Sequence, residues 1–325
     1  MNTWYSLYLI GGILITILAF SLFIPLIRRN KWGQNIRSDG PRSHLKKTGT
    51  PTMGGIVIII IFLLTLFVFL LTYNIKYDFK QCLLLIIPFI GYGVIGFTDD
   101  YLIVKRHNNI GLKPSLKFIF ELIIATLFYF LYLELGYSNK LNFFGIYVDL
   151  KFLYGCMIVL VLTGFTNATN FTDGLDGLLG LSSISSFIGL GILGYLKDEL
   201  IICYIAIVIT SVIIGFLVFN LPKAKIFMGD TGSLAIGALI VSMLIVLKCE
   251  ILIIFFGFIY LVEVISVMLQ VWYFKRTRGK RIFKMAPIHH HFELCGLSEY
   301  KIDILFFMIN LAMTIIGIYL GVKVF

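Results

Sequence analysis

The chain has 325 residues, 59% of them hydrophobic and only 14% charged, with 27 Lys and Arg against 17 Asp and Glu for a net charge of +10. A water-soluble domain has roughly 45–50% apolar and about 25% charged residues. Disorder, collagen and a coiled coil are therefore excluded, the composition argues against a soluble enzyme, and the apolar surplus calls for a bilayer. A basic balance often points to nucleic acid, but here the placement of the charges along the chain decides their meaning.

A membrane-spanning helix takes about 20 mostly apolar residues. In chain order the stretches that qualify are 5–27, 54–73, 81–98, 115–135, 152–168, 178–196, 200–219, 233–249, 251–272 and 301–323. The first has no basic segment or cleavage site before it and reads as a retained span, not a removed signal. The fifth and sixth are separated by the polar segment 170–177. The eighth and ninth are joined by Lys248-Cys249-Glu250, which reads as a tight turn. An even number of spans puts both termini on one side. Segments 28–52, 99–117, 220–232 and 273–300 carry nineteen Lys and Arg, whereas the connections on the other side carry seven. The positive-inside rule makes the first set cytoplasmic and both termini external. The expectation is an all-α integral membrane protein with a single polytopic domain over 1–325. Its cytoplasmic loops 28–52, 99–117, 169–177, 220–232 and 273–300 form one active face. One external connection differs: residues 139–150 hold two short runs around Phe144-Gly145 and predict a small β-hairpin. Cys82, Cys156, Cys203, Cys249 and Cys295 form no CxxC pair, and the first four lie in or beside apolar runs as small hydrophobes.

Among the motifs, Gly91-Tyr92-Gly93-Val94-Ile95-Gly96 fits G-x-G-x-x-G but lies inside an apolar span, where close helix packing explains it better than dinucleotide binding. The carboxylates say more. Asp99-Asp100 closes the third span, Asp173 and Asp176 lie in the run Asn170-Phe171-Thr172-Asp173-Gly174-Leu175-Asp176-Gly177, and Asp230 lies in Phe227-Met228-Gly229-Asp230-Thr231-Gly232-Ser233. All fall at the membrane edge on the basic side. Any one of them is explained by capping or interfacial solvation. Gathered on one face, they repel each other unless a cation or protons offset the charge. All-oxygen donors beside a phosphate substrate suit Mg²⁺. Adjacent helical residues point about 100° apart, so Asp99 and Asp100 do not readily share one task, whereas Asp173 and Asp176 lie three residues apart and can share a face. Asp230 begins a span, where a helix N-terminus also favours phosphate.

Three of the five histidines are consecutive, in Met285-Ala286-Pro287-Ile288-His289-His290-His291-Phe292-Glu293. Zinc with Cys295 is one reading, but adjacent histidines diverge and no closed-site spacing supports it. A grip on a diphosphate accords better with the acidic motifs, and a solvated loop is the bland alternative. The basic, Gly- and Pro-containing run 43–55, with His44, Lys46, Lys47 and Thr52, either wraps an anion or simply obeys the positive-inside rule. Glu121 and Glu263 lie inside spans and are functional candidates by position, although an inter-helix hydrogen bond is the preferred account of each.

Taken together, Gly49-Thr50-Pro51-Thr52-Met53-Gly54-Gly55, Asp99-Asp100-Tyr101, the 170–177 and 227–233 motifs and Pro287-Ile288-His289-His290-His291-Phe292-Glu293 resemble those of the bacterial phospho-N-acetylmuramoyl-pentapeptide-transferases. These belong to the polyprenyl-phosphate hexose-1-phosphate transferase superfamily. The resemblance covers essentially the whole chain, and the histidine string separates this branch from the related GlcNAc-1-phosphate transferases. It implies ten transmembrane helices with external termini, usually as a homodimer in the bacterial plasma membrane with a cytoplasmic active site. It also implies Mg²⁺ as cofactor and UDP-MurNAc-pentapeptide and undecaprenyl phosphate as substrates, giving lipid I and UMP. By the same resemblance Asp230 matches a metal-binding aspartate. Asp99, Asp100, His289 and His290 match catalytic positions. Lys47, Thr52, Asn170, Asp173, Asp176, Phe227 and His291 match the substrate cleft, with Phe227 placed to stack on uracil. A GlcNAc-1-phosphate transferase is the nearest alternative. A cation-coupled transporter would place acids at helix ends but has no use for the histidine segment, and a di-aspartyl intramembrane protease needs its acids deeper in facing spans.

Overall fold

A computed structural model describes residues 3–30, 32–33, 47–72, 79–106 and 110–325. Residues 34–46, with His44 and Lys46 of the basic run, lie outside the described residues. In lipid every backbone polar group needs an internal partner, so long apolar runs become helices. The helices are α1 (Thr3–Arg29), α2 (Gly54–Thr72), α3 (Phe79–Arg106), α4 (Pro114–Glu134), α5 (Phe152–Thr172), α6 (Leu178–Leu196), α7 (Leu200–Asn220), α8 (Gly229–Val246), α9 (Ile253–Phe256), α10 (Phe258–Arg276), α11 (Ile288–Leu294) and α12 (Glu299–Lys323). Ten of these, among the described residues, are long and apolar enough to cross a membrane. α7 and α8 form the centre, with 83% and 89% of their most apolar stretch buried, whereas α4 and α10 are peripheral at 22% each.

The expected hairpin is present. β1 (Lys140–Phe143) pairs antiparallel with β2 (Ile146–Asp149), with Phe143 opposite Ile146. The two turn residues, Phe144 and Gly145, both have positive φ, 49° and 88°, which is the twist that a two-residue hairpin loop requires. The tight turn after α8 is also as expected. Its Lys248 Nζ donates to Tyr154 Oη (2.7 Å), Tyr132 Oη (2.8 Å) and Ser138 O (3.0 Å), and so ties the turn to α4, α5 and the approach to the hairpin.

Three boundaries differ from the hydropathy reading. α3 continues past Thr98 to Arg106, so Asp99 and Asp100 lie within the helix and not at its end. α5 runs to Thr172 and includes Asn167 and Asn170. The ninth stretch is broken into a 3-10 turn at Glu250–Leu252, the single turn α9 and then α10. The break falls at Gly257, where the backbone lies so close to Phe165 that an added Cβ would stand 2.2 Å from its ring. Mean apolarity does not register such an interruption. The 273–300 segment, expected as a loop, contains the seven-residue α11 with all three consecutive histidines.

Candidate active site

The site is organised around the first turn of α8. Backbone pairing brings the start of α2 to it: Phe227 N donates to Pro51 O (2.8 Å), Gly54 N to Phe227 O (2.9 Å) and Gly55 N to Met228 O (2.9 Å). Two glycines make the approach possible. A Cβ on Gly55 would lie 2.1 Å from Gly232 N, and one on Gly96 would lie 2.1 Å from Asp230 O. Gly96, the last glycine of the G-x-G-x-x-G string, is thus a helix-packing residue that sets α3 directly against α8.

That contact delivers Asp100 to the helix start. Its carboxylate accepts Asp230 N (3.1 Å), Thr231 N (3.0 Å) and Thr231 Oγ1 (2.6 Å). These amides have no partner inside α8, and a negative charge is favoured beside them. Asp99 points elsewhere and accepts Leu112 N at 2.9 Å, closing the segment before α4 over it. The two neighbours therefore serve different elements. Asp230 extends from the same turn into a polar cluster, where Lys117 Nζ donates to Oδ2 at 2.5 Å and Asn170 Nδ2 donates to Oδ1 at 2.7 Å. Asn170 also donates to Ser233 Oγ at 2.9 Å. Asp173 lies beyond the end of α5, half-buried. Burial first, then the charges of Asp230 and Asp100, push its carboxyl well above the usual carboxylate range, against a partly offsetting hydrogen bond from the Gly229 backbone.

A second cluster adjoins it. Lys47 Nζ donates to Asp176 Oδ1 (2.7 Å) and to Glu299 Oε2 (2.6 Å), while Asp176 Oδ2 accepts Ala224 N (2.9 Å). Thr52 is buried in the connection just before α2, and Phe227 is half-buried between α7 and α8. The three histidines face different partners. His289 is fully buried, His290 Nδ1 lies 3.3 Å from Glu293, and His291 Nδ1 accepts Lys284 N at 3.1 Å. Cys295 Sγ is 3.8 Å from His291 Nε2. Among the described residues no three His, Cys, Asp or Glu side chains converge as ligands to one ion.

Sequence reasoning missed Lys117, Glu299 and Ser233. Lys117 counted only as a cytoplasmic loop charge, although it stands one turn inside α4, after Pro114, where a helix start usually holds an acid. Nothing in the local sequence signals that Glu299 pairs with Lys47, because 252 residues separate them. Two intramembrane acids each face one polar side chain. Glu121 Oε2 accepts Asn167 Nδ2 at 2.8 Å across α4 and α5, and Glu263 lies 3.1 Å from His289 Nδ1.

The model of glycosyl transferase family 4 matches residues 82–248. Over nearly the whole chain, the curated proteins named phospho-N-acetylmuramoyl-pentapeptide-transferase are close relatives. Those of Bacillus licheniformis and Geobacillus sp. are each 42% identical, with 97% of this chain and 97% of the relative covered. That of Bacillus subtilis is 41% identical with 96% of each covered. The chain belongs to this family. The matched stretch, residues 82–248, contains Asp99, Asp100, Asp173, Asp176 and Asp230, and ends at Lys248, just before the turn to α9 and α10.

Proposed function

We propose that this membrane protein transfers phospho-MurNAc-pentapeptide from UDP-MurNAc-pentapeptide to undecaprenyl phosphate, giving lipid I and UMP. The observation that carries the reading is the convergence of Asp99, Asp100, Asp173 and Asp230 on one end of the bundle, in a chain 42% identical to transferases of that name over 97% of its length. Both termini are external in this reading, supported by the loop charge bias, and the acidic end of the bundle faces the cytoplasm.

The donor chemistry of this cluster fits Mg²⁺. Its donor atoms are carboxylate oxygens, and among the described residues the ammonium that pairs with one of the four acids is that of Lys117, on Asp230. Asp230 would hold the ion, with Asp99, Asp100 and Asp173 around it. Bound there, Mg²⁺ would supply charge neutralisation between two anionic reactants.

The protein's own groups do the rest. Lys117 and Asn170 hold the Asp230 carboxylate in one orientation. Asp100 is committed to the α8 amides by three hydrogen bonds, whereas Asp99 accepts one among the described residues. This supports Asp99 as the group that takes the proton of the lipid phosphate. The lipid phosphate oxygen then attacks the β-phosphorus of the nucleotide sugar, the β-phosphorus–oxygen bond to UMP breaks, and UMP leaves with the electron pair. Phe227 offers an aromatic face for uracil, and Lys47 with the α11 histidines lines the route to the diphosphate. The test is UMP release by detergent-solubilised protein from UDP-MurNAc-pentapeptide and a polyprenyl phosphate, with UDP-GlcNAc as comparator. Release from UDP-GlcNAc alone refutes the substrate assignment.

A further inference from the structure

Glu263 and His289 are unusual in being completely buried ionisable groups that meet each other outside the aspartate cluster. Glu263 is on α10 and His289 on α11, both at 0% exposure, with Nδ1 and Oε2 3.1 Å apart. Neither carboxylate oxygen and neither ring nitrogen makes an aligned hydrogen bond among the described residues. Each is therefore the other's compensation for burial, which is costly for an isolated charge or polar ring.

The far edge of the same imidazole rests on the acidic segment. A Cβ added to Gly174 would lie 2.3 Å from His289 Nε2 and 2.6 Å from Cε1, so no side chain fits at 174 while this ring is in place. Gly174 links Asp173 to Leu175 and Asp176. Leu175 belongs to a small separate core with Leu178, Ile259, Ile302 and Phe306, against which Ile288 and Phe292 of α11 pack. His289 also stacks edge-on against His290 with ring centres 4.2 Å apart. One buried ring thus touches the α10 acid, the backbone between the two cleft aspartates and the neighbouring histidine. Apolar residues of similar volume often stabilise such a position as well as an ion pair does, so the pair's distinctive contribution is orientation.

We propose that Glu263 is a positioning residue, acting through His289 to set the place of the 173–176 segment and of His290 in the nucleotide cleft. The proposal rests on the transfer reading above. The experiment compares the wild type, Glu263→Gln, His289→Ala, Gly174→Ala and the doubles Glu263→Gln/His289→Ala and Gly174→Ala/His289→Ala, in UMP-release kinetics, in calorimetric titration with UMP and in thermal stability in detergent. Glu263→Gln should raise KM for the sugar nucleotide about tenfold while leaving kcat and the melting temperature little changed. Adding Glu263→Gln to His289→Ala should cost less than about a further twofold, because the two act through one contact. Gly174→Ala should weaken UMP binding in the wild type but have little effect once His289→Ala has opened space. Multiplicative effects in both doubles, or a lower melting temperature with unchanged KM and UMP affinity, overturn the proposal. A wild type that binds UMP but never releases it from the sugar nucleotide defeats the transfer reading instead, and the UMP titrations of the doubles still decide the positioning role.

Discussion

Asp99 and Asp100 are adjacent and chemically identical, yet their substitution should produce different failures. Asp100→Asn replaces an acceptor of three hydrogen bonds with an amide that has one acceptor oxygen. If that oxygen turns to Asp230 N, the amide NH₂ faces the donors of Thr231. A hydrogen bond to a charged group contributes about 1.5–3 kcal/mol, and loss of an N-cap typically costs about 1 kcal/mol. Their combined loss at the buried start of α8 should destabilise the protein by about 2–4 kcal/mol, a fall in melting temperature of roughly 4–16 °C at the usual ~2–4 °C per kcal/mol. Asp99→Asn keeps an oxygen for its one bond from Leu112 N, so its stability cost should stay below about 1 kcal/mol. Its activity should nevertheless fall by about 10²-fold or more, the loss typical of a proton acceptor. Fluorimetric melting in detergent, run beside UMP release at saturating Mg²⁺, separates the two effects. Equal melting shifts for the two variants, or a wild-type melting temperature for Asp100→Asn, would refute the division between a helix-capping and a proton-accepting carboxylate.

The orientation is checked with an impermeant thiol reagent on intact cells, in a background lacking the exposed Cys295: Tyr147→Cys on the hairpin should label and Lys280→Cys should not, and the reverse pattern would invert the topology. Asp230→Asn should abolish activity at every Mg²⁺ concentration; its amide keeps an oxygen for only one of the two donors, Lys117 and Asn170, so a fall in melting temperature accompanies the loss, and activity within threefold of wild type removes Asp230 from the metal role. The raised carboxyl of Asp173 gives a signed pH effect: between its unfolded value of 3.8 and the higher folded value the native state alone holds the proton, so stability falls as pH rises through that window. In chelator, Asp173→Asn should flatten this decline from about pH 4 upward, and parallel melting curves for the two proteins would show that Asp173 is not the group responsible.

Much of the scaffold was legible because lipid leaves a chain few options. Apolar runs marked the ten spans, and the run around Phe144-Gly145 marked the hairpin through its turn residues. The ends were less legible. Hydropathy stops at Thr98, but the backbone has no reason to leave the helix there, and α3 carries Asp99 and Asp100 one turn further than apolarity alone indicates. The aspartates of the site stood out because acids are conspicuous in a chain so poor in charge. Their partners did not: Lys117 resembled a topology signal, and the pairing of Glu263 with His289 depends on the path of α10 and α11, which no spacing rule supplies.

The arrangement explains why the acidic cluster is tolerated at all. Five aspartates at one membrane edge repel each other, but most are neutralised by the fold itself. Asp100 is held by the amide dipoles of α8, Asp176 by Lys47 and the Ala224 amide, and Asp99 by Leu112 N. Asp230 has Lys117, and at Asp173 burial, together with the charges of Asp230 and Asp100, favours the neutral, protonated carboxyl. Without a divalent ion, the proton held by Asp173 thus offsets part of the acidic charge at the point where a phosphate has to arrive. The same carboxylates therefore serve twice, closing helix ends and loops in the resting protein and, once Asp173 gives up its proton, offering negative charge for a cation to offset. Loss of activity on removing any one of them does not by itself identify a catalytic group. The melting temperature has to be read beside the rate, and it is Asp99, whose single hydrogen bond an amide oxygen can accept, that reports on chemistry most cleanly.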